Sequence, residues 1–271
     1  MRLWILSDLH LEVTRGWDLP AGDVRPQLDV LVIAGDLIPR AERGVKWLLE
    51  RLPDRPVIFV PGNHEAYGAD VDRTVEKAMD AAAGTKIFML QNRWIRLSDV
   101  TFAGATLWTD FELFGDRCRA ITVAAEQMND FRKIRINRYV RRFQPRHALA
   151  RHLQAHAFLE AMRNASGPPV VVTHHAPIPS RAYRLGRHYL GSRLSDQEVL
   201  TAAYRSNLTS LMWPAPIADG KNALFGHMHE SEDAVMRCTR VVSNAKGYGP
   251  WLPNCRTWDN PNFDPNFVIE I

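Results

Sequence analysis

The sequence predicts an α/β fold with a mixed sheet, on three observations. Short apolar runs rich in Val, Ile, Leu and Phe recur along the 271 residues, and several stop at Gly, Asp, Asn or His. Longer stretches with helical apolar spacing alternate with them. The segment WIRLSDVTFAGATLW at 94–108 supplies two strands turning at Ser98-Asp99, which calls for antiparallel members and excludes a purely parallel sheet.

Residues 3–6 and 29–34 are the first two strands, each a continuous apolar run of the kind buried on both faces. A helix over 41–51 (AERGVKWLLER), a strand at 56–60, a helix over 70–82 (DVDRTVEKAMDAA) and a strand at 86–90 follow. Beyond the 94–108 hairpin, residues 110–165 break the rhythm with polar, arginine-rich and helical sequence. Its basic part has too few apolar residues for a core of its own, so it reads as an insertion or cap within one domain spanning 1–271. A helix over 146–164, a strand at 169–173, a helix over 196–212 and a strand at 222–226 resume the pattern. Residues 234–243 predict a hairpin turning near Cys238, and FVIEI predicts a last strand.

A hydrophobic content of 46% with 24% charged residues is that of a soluble globule. No apolar run approaches the roughly 20 residues that span a bilayer. Asp8 follows Met1 so closely that no removable leader is expected, which predicts a cytoplasmic protein. Cys118, Cys238 and Cys255 are odd in number and widely spaced, and they are expected to be reduced.

The net charge of +4 is uneven. Arg132, Lys133, Arg135, Arg138, Arg141, Arg142, Arg146 and Arg151 place eight cations in a stretch without Asp or Glu, leaving the remaining chain at −4. A solvated helix face is the first reading of this stretch, with contact to nucleic acid or a phosphate-rich substrate, or to another subunit, as the alternatives. Trp108, Trp213, Trp251 and Trp258 read as core or cleft-wall residues. His152 and His156 have the spacing of a helical zinc site, but Leu153 stands where a metalloprotease motif requires Glu, so a packed or solvated helix face is expected.

Five of the apolar runs end in chemistry: WILSDLH, VIAGD, VPGNHE, VVTHH and ALFGHMH. Asp8 and His10 are two apart at a strand end, where side chains of an extended backbone point to one side, and His227 and His229 repeat the arrangement after Gly226. Asp36 has two carboxylate oxygens and is able to bridge two cations, while Asn63 offers a neutral carbonyl oxygen. With His174, these donors are all oxygen or nitrogen and suit two divalent ions, Mn²⁺ or Fe first and Zn²⁺ or Mg²⁺ next. Two such ions leave the site cationic and attractive to phosphate.

The ordered set SDLH, GD, GNHE, THH and GHMH, covering residues 4–229, resembles the signature of the calcineurin-like metallophosphoesterase superfamily. The segments GATLWTDFELFG, MNDFRKIR and TRVVSNAKGY resemble bacterial members of it. The resemblance implies two packed β-sheets flanked by helices and a dinuclear centre. It implies that Asp8, His10, Asp36 and His229 hold one metal and that Asp36, Asn63, His174 and His227 hold the other, with His175 the alternative to His174. It also implies in-line attack of a metal-activated hydroxide on a phosphodiester or phosphomonoester, with His64 protonating the leaving oxygen. Arg40 falls where the protein-phosphatase branch contacts phosphate. Pro39, however, stands where that branch places the carboxylate that orients the catalytic His, which leaves His64 without that partner and argues against protein phosphatase activity. A nuclease using the basic stretch, and a phosphate- or nucleic-acid-binding protein without catalysis, are the alternative functions.

Overall fold

The computed structural model describes residues 1–14, 16–162, 169–181, 194–212, 221–250 and 257–271. One sheet holds β1 (Arg2–Leu6), β2 (Val30–Ala34), β3 (Val57–Val60) and β4 (Ile87–Met89), parallel in the order β1-β2-β3-β4, with a C-terminal strand (Val268–Glu270) antiparallel on β1. Helices α1 (Ala41–Arg51) and α2 (Val71–Ala82) provide the crossovers within it. The Asp70 side chain caps α2 by accepting from the Asp72 and Arg73 N–H groups, a contact worth about 1 kcal/mol.

The second sheet begins with the hairpin β5 (Arg93–Leu97) and β6 (Val100–Ala105), turning at Ser98-Asp99 as expected. Next come helices α3 (Arg117–Gln127) and α4 (Asp130–Lys133), a two-stranded ribbon of β7 (Arg135–Ile136) and β8 (Arg141–Arg142), and the long helix α5 (Pro145–Met162). Then follow β9 (Pro169–Thr173), the short helix α6 (Asp196–Leu200), β10 (Lys221–Phe225), β11 (Ser231–Met236), β12 (Thr239–Asn244) and the C-terminal strand, β13. The order across this sheet is β11-β12-β10-β9-β6-β5, parallel in its middle and antiparallel at both edges.

The alternation of side chains explains the layering. Leu3 and Ile5 of β1, Val32 and Ala34 of β2, and Ile58 and Val60 of β3 meet Phe102, Val170, Val172, Leu224 and Val242 of the other sheet. Their neighbours Trp4, Leu6, Leu31, Ile33 and Phe59 turn to the opposite face and pack with Val45 and Leu48 of α1 and Ala78 of α2. The fold is therefore two mixed sheets packed face to face and flanked by helices. Full burial of one such side chain contributes about 1.5–3 kcal/mol, so the sandwich outweighs any cap.

Two expectations about elements fail. The stretch 196–212 is not one helix: after α6 and a single 3-10 turn at Thr201–Ala203, the chain straightens. Arg205 bridges Ala176, with Ala176 donating to Tyr204 O and Ser206 to Ala176 O, so pairing with the loop after β9 overrides helical periodicity. The basic stretch is likewise not continuous helix. Asn137, Arg138 and Tyr139 take φ of 55°, 54° and 71°, closing the ribbon between β7 and β8, and helix resumes only where Pro145 opens α5. Arg138, Arg141, Arg142 and Arg146 are exposed there, while Arg151 pairs with Asp72 at 2.6 Å.

Trp108 is buried against Phe143, and Trp258 packs against Phe263, whereas Trp213 and Trp251 lie outside the described residues. Cys118 and Cys238 are free thiols, and Cys255 is likewise outside them, as are the last residues of the 146–164 stretch. Among the described residues, no helix is long and apolar enough to cross a membrane.

Candidate metal centre

Asp8 and His10 follow β1, Asp36 follows β2, Asn63 and His64 follow β3, His174 follows β9, and His227 and His229 follow β10. All five strands are parallel members of their sheets, so their carboxyl ends open toward one cleft, the usual ligand position in such folds. The two-residue spacing works differently from the extended geometry expected. Asp8, His10, Asp36, His227 and His229 have φ of 54°, 46°, 55°, 71° and 47°, so tight left-handed turns beyond the strands aim these side chains. Each such conformation costs about 1–3 kcal/mol unless its surroundings fix it.

Hydrogen bonds between motifs do the fixing. Asp8 N donates to Gly35 O and His10 N to Asp36 O, both at 3.0 Å, and His227 N donates to the Asp8 carboxylate at 2.9 and 3.0 Å. Glycine is required at two approaches: a Cβ at Gly62 would strike Asp36 Oδ1, and one at Gly226 would strike Asp8 Oδ2.

The donors converge. His10 Nε2 is 3.1 Å from His229 Nε2, 4.0 Å from Asp8 Oδ1 and 3.9 Å from Asp36 Oδ2, and His229 Nε2 is 3.6 Å from Asp8 Oδ1. Beside this group, His174 Nε2 lies 2.9 Å from both Asn63 Oδ1 and His227 Nδ1, and 3.4 Å from Asp36 Oδ1. Asp8, His10 and His229 form one group able to hold a metal, Asp36, His174 and His227 another, and His10, Asp36 and His64 a third between them. His175 stands apart. Its Nδ1 faces Thr106 O at 3.1 Å and its ring lies against His227 and Trp108.

The charge balance suits cations. Facing imidazole nitrogens near 3 Å have lone pairs that one proton can satisfy only in part, whereas a metal accepts from both. Burial opposes charge on Asp36, but His174 and His64 outweigh it and hold the carboxyl well below the usual range. Burial lowers His227 far below its ordinary value and, with His174, takes His175 to about 3, so both rings are neutral. For His174 itself, Asp36 overcomes the burial penalty and lifts the ring to about 10.

Several residues around these donors escaped sequence reasoning. Glu65, buried inside GNHE, accepts from the backbone N–H groups of Asp36, Leu37, Ile38 and Gly62 and so ties the second motif to the third. Burial and nearby Asp36 push it up to about 7 against the pull of those donors. Asp130, at the start of α4, accepts from Asn63 Nδ2 at 2.8 Å and from the Tyr67 hydroxyl at 2.7 Å, and its other oxygen is buried without a partner. Asp259 Oδ2 takes His229 Nδ1 at 2.9 Å. Pro39 gives His64 no carboxylate, but one comes from elsewhere: Glu12 Oε1 sits 2.8 Å from its Nδ1. Burial works against protonation of His64, yet Asp36 and Glu12 raise it to about 9. Glu65 stands inside the quoted VPGNHE and Glu12 two residues beyond WILSDLH, so both were open to notice; Asp259 gave no signal.

Other candidates lie elsewhere. Arg40, exposed at the N-terminal end of α1 with a φ of 68°, lines a surface depression with Glu42, Lys77 and Tyr139 and is not among the described residues lining the cleft over the donors. His152 is buried against Trp108 O with His156 beside it, a packed helix face. The cleft over the donors is lined by Tyr67, Gln127, Asn129, Tyr204 and Tyr248, and none of the eight cations of the basic stretch is among its described lining residues.

The calcineurin-like phosphoesterase family model matches residues 1–231. The chain is 21% identical to an uncharacterized protein of Acanthamoeba polyphaga mimivirus, with 98% of this chain and 95% of that one covered. It superposes on the crystal structure of the phosphopantetheinyl hydrolase from Mycobacterium tuberculosis with a TM-score of 0.62 at 18% identity, covering 91% of this chain and 89% of that one, a likeness of fold. The chain belongs to the calcineurin-like phosphoesterase family, a fold whose members hydrolyse phosphoester bonds with metal ions.

Proposed function

We propose that this chain hydrolyses a phosphodiester or phosphomonoester at a dinuclear centre, with Mn²⁺ or Fe as the first choice of metal and Zn²⁺ or Mg²⁺ as alternatives. The observation that carries the reading is the convergence of two donor groups on Asp36. Asp8, His10, Asp36 and His229 would hold one ion, and Asp36, Asn63, His174 and His227 the other. When bound, two divalent ions supply hydroxide near neutral pH and offset the charge of the transferring phosphoryl group.

The protein's own groups do the rest. His64 presents Nε2 to the cleft 4.0 Å from Asp36 Oδ2 and would give its proton to the leaving oxygen. The Tyr67 ring stacks on His64 at 4.0 Å, restricting water on that face. The insertion acts as a cap, since its Gln127, Met128, Asn129 and Asp130 form one wall of the cleft. The placement of the basic ribbon outside the described lining favours a small ester over nucleic acid.

The test is hydrolysis by protein prepared with Mn²⁺, using mono- and bis-p-nitrophenyl phosphate, cyclic nucleotides and single-stranded DNA. Chelator-sensitive turnover of at least one small ester is expected. Binding of Mn²⁺ without turnover of any substrate would overturn the enzymatic reading.

A further inference from the structure

Glu12 lies two residues beyond His10, in the turn that carries the chain away from β1. Leu11 N–H donates to Leu37 O at 2.9 Å, and Val13 and Thr14 N–H both donate back to His10 O, so the turn is fixed against the second motif. The Glu12 side chain is only 21% exposed and directs one oxygen, Oε1, between two imidazoles. Its distance to His64 Nδ1 is 2.8 Å, that of a charge-assisted hydrogen bond, whereas His10 Nδ1 at 3.4 Å is at the outer limit for one. His64 is the ring it holds.

The remaining contacts of His64 leave its rotation unset. Tyr67 covers one face and His10 meets it edge-on with centroids 4.4 Å apart, contacts that fix a plane but not which nitrogen points where. A group that accepts from Nδ1–H turns Nε2 toward the cleft, where Tyr248 Oη lies 3.3 Å away and makes the longer, weaker contact. The second motif offers none, because Pro39 has no carboxylate to give. Glu12 reaches the same ring from the first.

We propose that Glu12 is the positioning residue of His64, its carboxylate accepting Nδ1–H so that Nε2–H faces the leaving oxygen. The inference rests on the phosphoesterase reading. In the step it serves, hydroxide oxygen forms a P–O bond while the ester P–O bond breaks. The leaving oxygen keeps that electron pair and takes the Nε2 proton, and His64 ends neutral beside an unchanged Glu12 carboxylate.

Leaving-group dependence tests this. Kinetics of Glu12→Gln, Glu12→Ala and His64→Ala are compared on a p-nitrophenyl ester, whose leaving group needs no proton, and an alkyl ester of the same phosphate class, whose leaving group does. Bound metal is measured throughout. Both Glu12 variants are expected to retain metal and to turn over the p-nitrophenyl ester within about threefold of wild type. On the alkyl ester they should lose at least ~10-fold in kcat, toward the ~10²–10⁴-fold of losing a general acid. Glu12→Ala combined with His64→Ala should be no slower than His64→Ala alone. Equal losses on both esters, multiplied losses in the double variant, or loss of metal from Glu12→Gln would each overturn the inference while leaving the phosphoesterase reading intact. An inert wild type would overturn that reading, and this one with it.

Discussion

The two sides of the donor cluster are braced by different kinds of group. On the Asp8 side, His229 Nδ1 leans on the carboxylate of Asp259 at 2.9 Å, and both side chains reach solvent, at 20% and 40% exposure. On the Asn63 side, His174 Nδ1 faces the backbone oxygen of Ala34 at 2.9 Å and is fully buried. Asn63 in turn is held by Asp130. A carboxylate brace fixes its imidazole but can be lost by one substitution, whereas a strand-end carbonyl moves only with the sheet. The first side is thus set by side chains from distant loops, and the second chiefly by the fold.

The largest expected effect removes the distinction altogether. Asp36→Ala takes away the carboxylate proposed to serve both sides, so equilibrium dialysis should find neither ion bound and hydrolysis should fall to background. Retention of one tightly bound ion would show that the two sides do not share Asp36.

Loss of a single brace should separate the sides. Asp259→Asn is expected to weaken one of the two ions by ~10–100-fold, read as one altered phase in a calorimetric titration. Asp130→Ala, which frees the Asn63 amide, should alter the other phase. Identical effects of the two variants on both phases would break the comparison.

The smallest effect concerns the metal-free protein. Burial disfavours charge on His64 and His174, but Asp36 holds them at about 9 and about 10, above the ordinary 6.5. Their protonation stabilises the fold fully below pH 6.5, and that contribution disappears as pH rises through 9 to 10. The metal-free Tm should decline across this window, by roughly 2–4 °C for each kcal/mol lost, while the metal-loaded Tm stays flatter. A flat metal-free profile would show that Asp36 does not keep His64 and His174 protonated.

Legibility in the sequence followed the range of the interactions involved. VLVIA at β2 is buried at every position, and its apolar run announced as much. The hairpin at Ser98 was equally local, its turn residue adopting φ of 52°. The 196–212 stretch misled because backbone pairing of Arg205 with Ala176 interrupts the helix that its apolar spacing suggests. Likewise, Pro39 correctly signalled a missing carboxylate at one position but carried no information on Glu12, which meets His64 across 52 residues of chain.

The sequence by itself determined which strands end in metal-binding side chains and in what order, because a donor directly after an apolar run is a local feature of a parallel sheet. Tertiary structure alone decided how those donors are turned and backed. The left-handed turns at Asp8, His10, Asp36, His227 and His229 are held by bonds between motifs, and Asp259, Asp130 and Glu12 act on rings and amides remote from them in the chain. Such contacts have no spacing to be read, since they exist only once both sheets have packed.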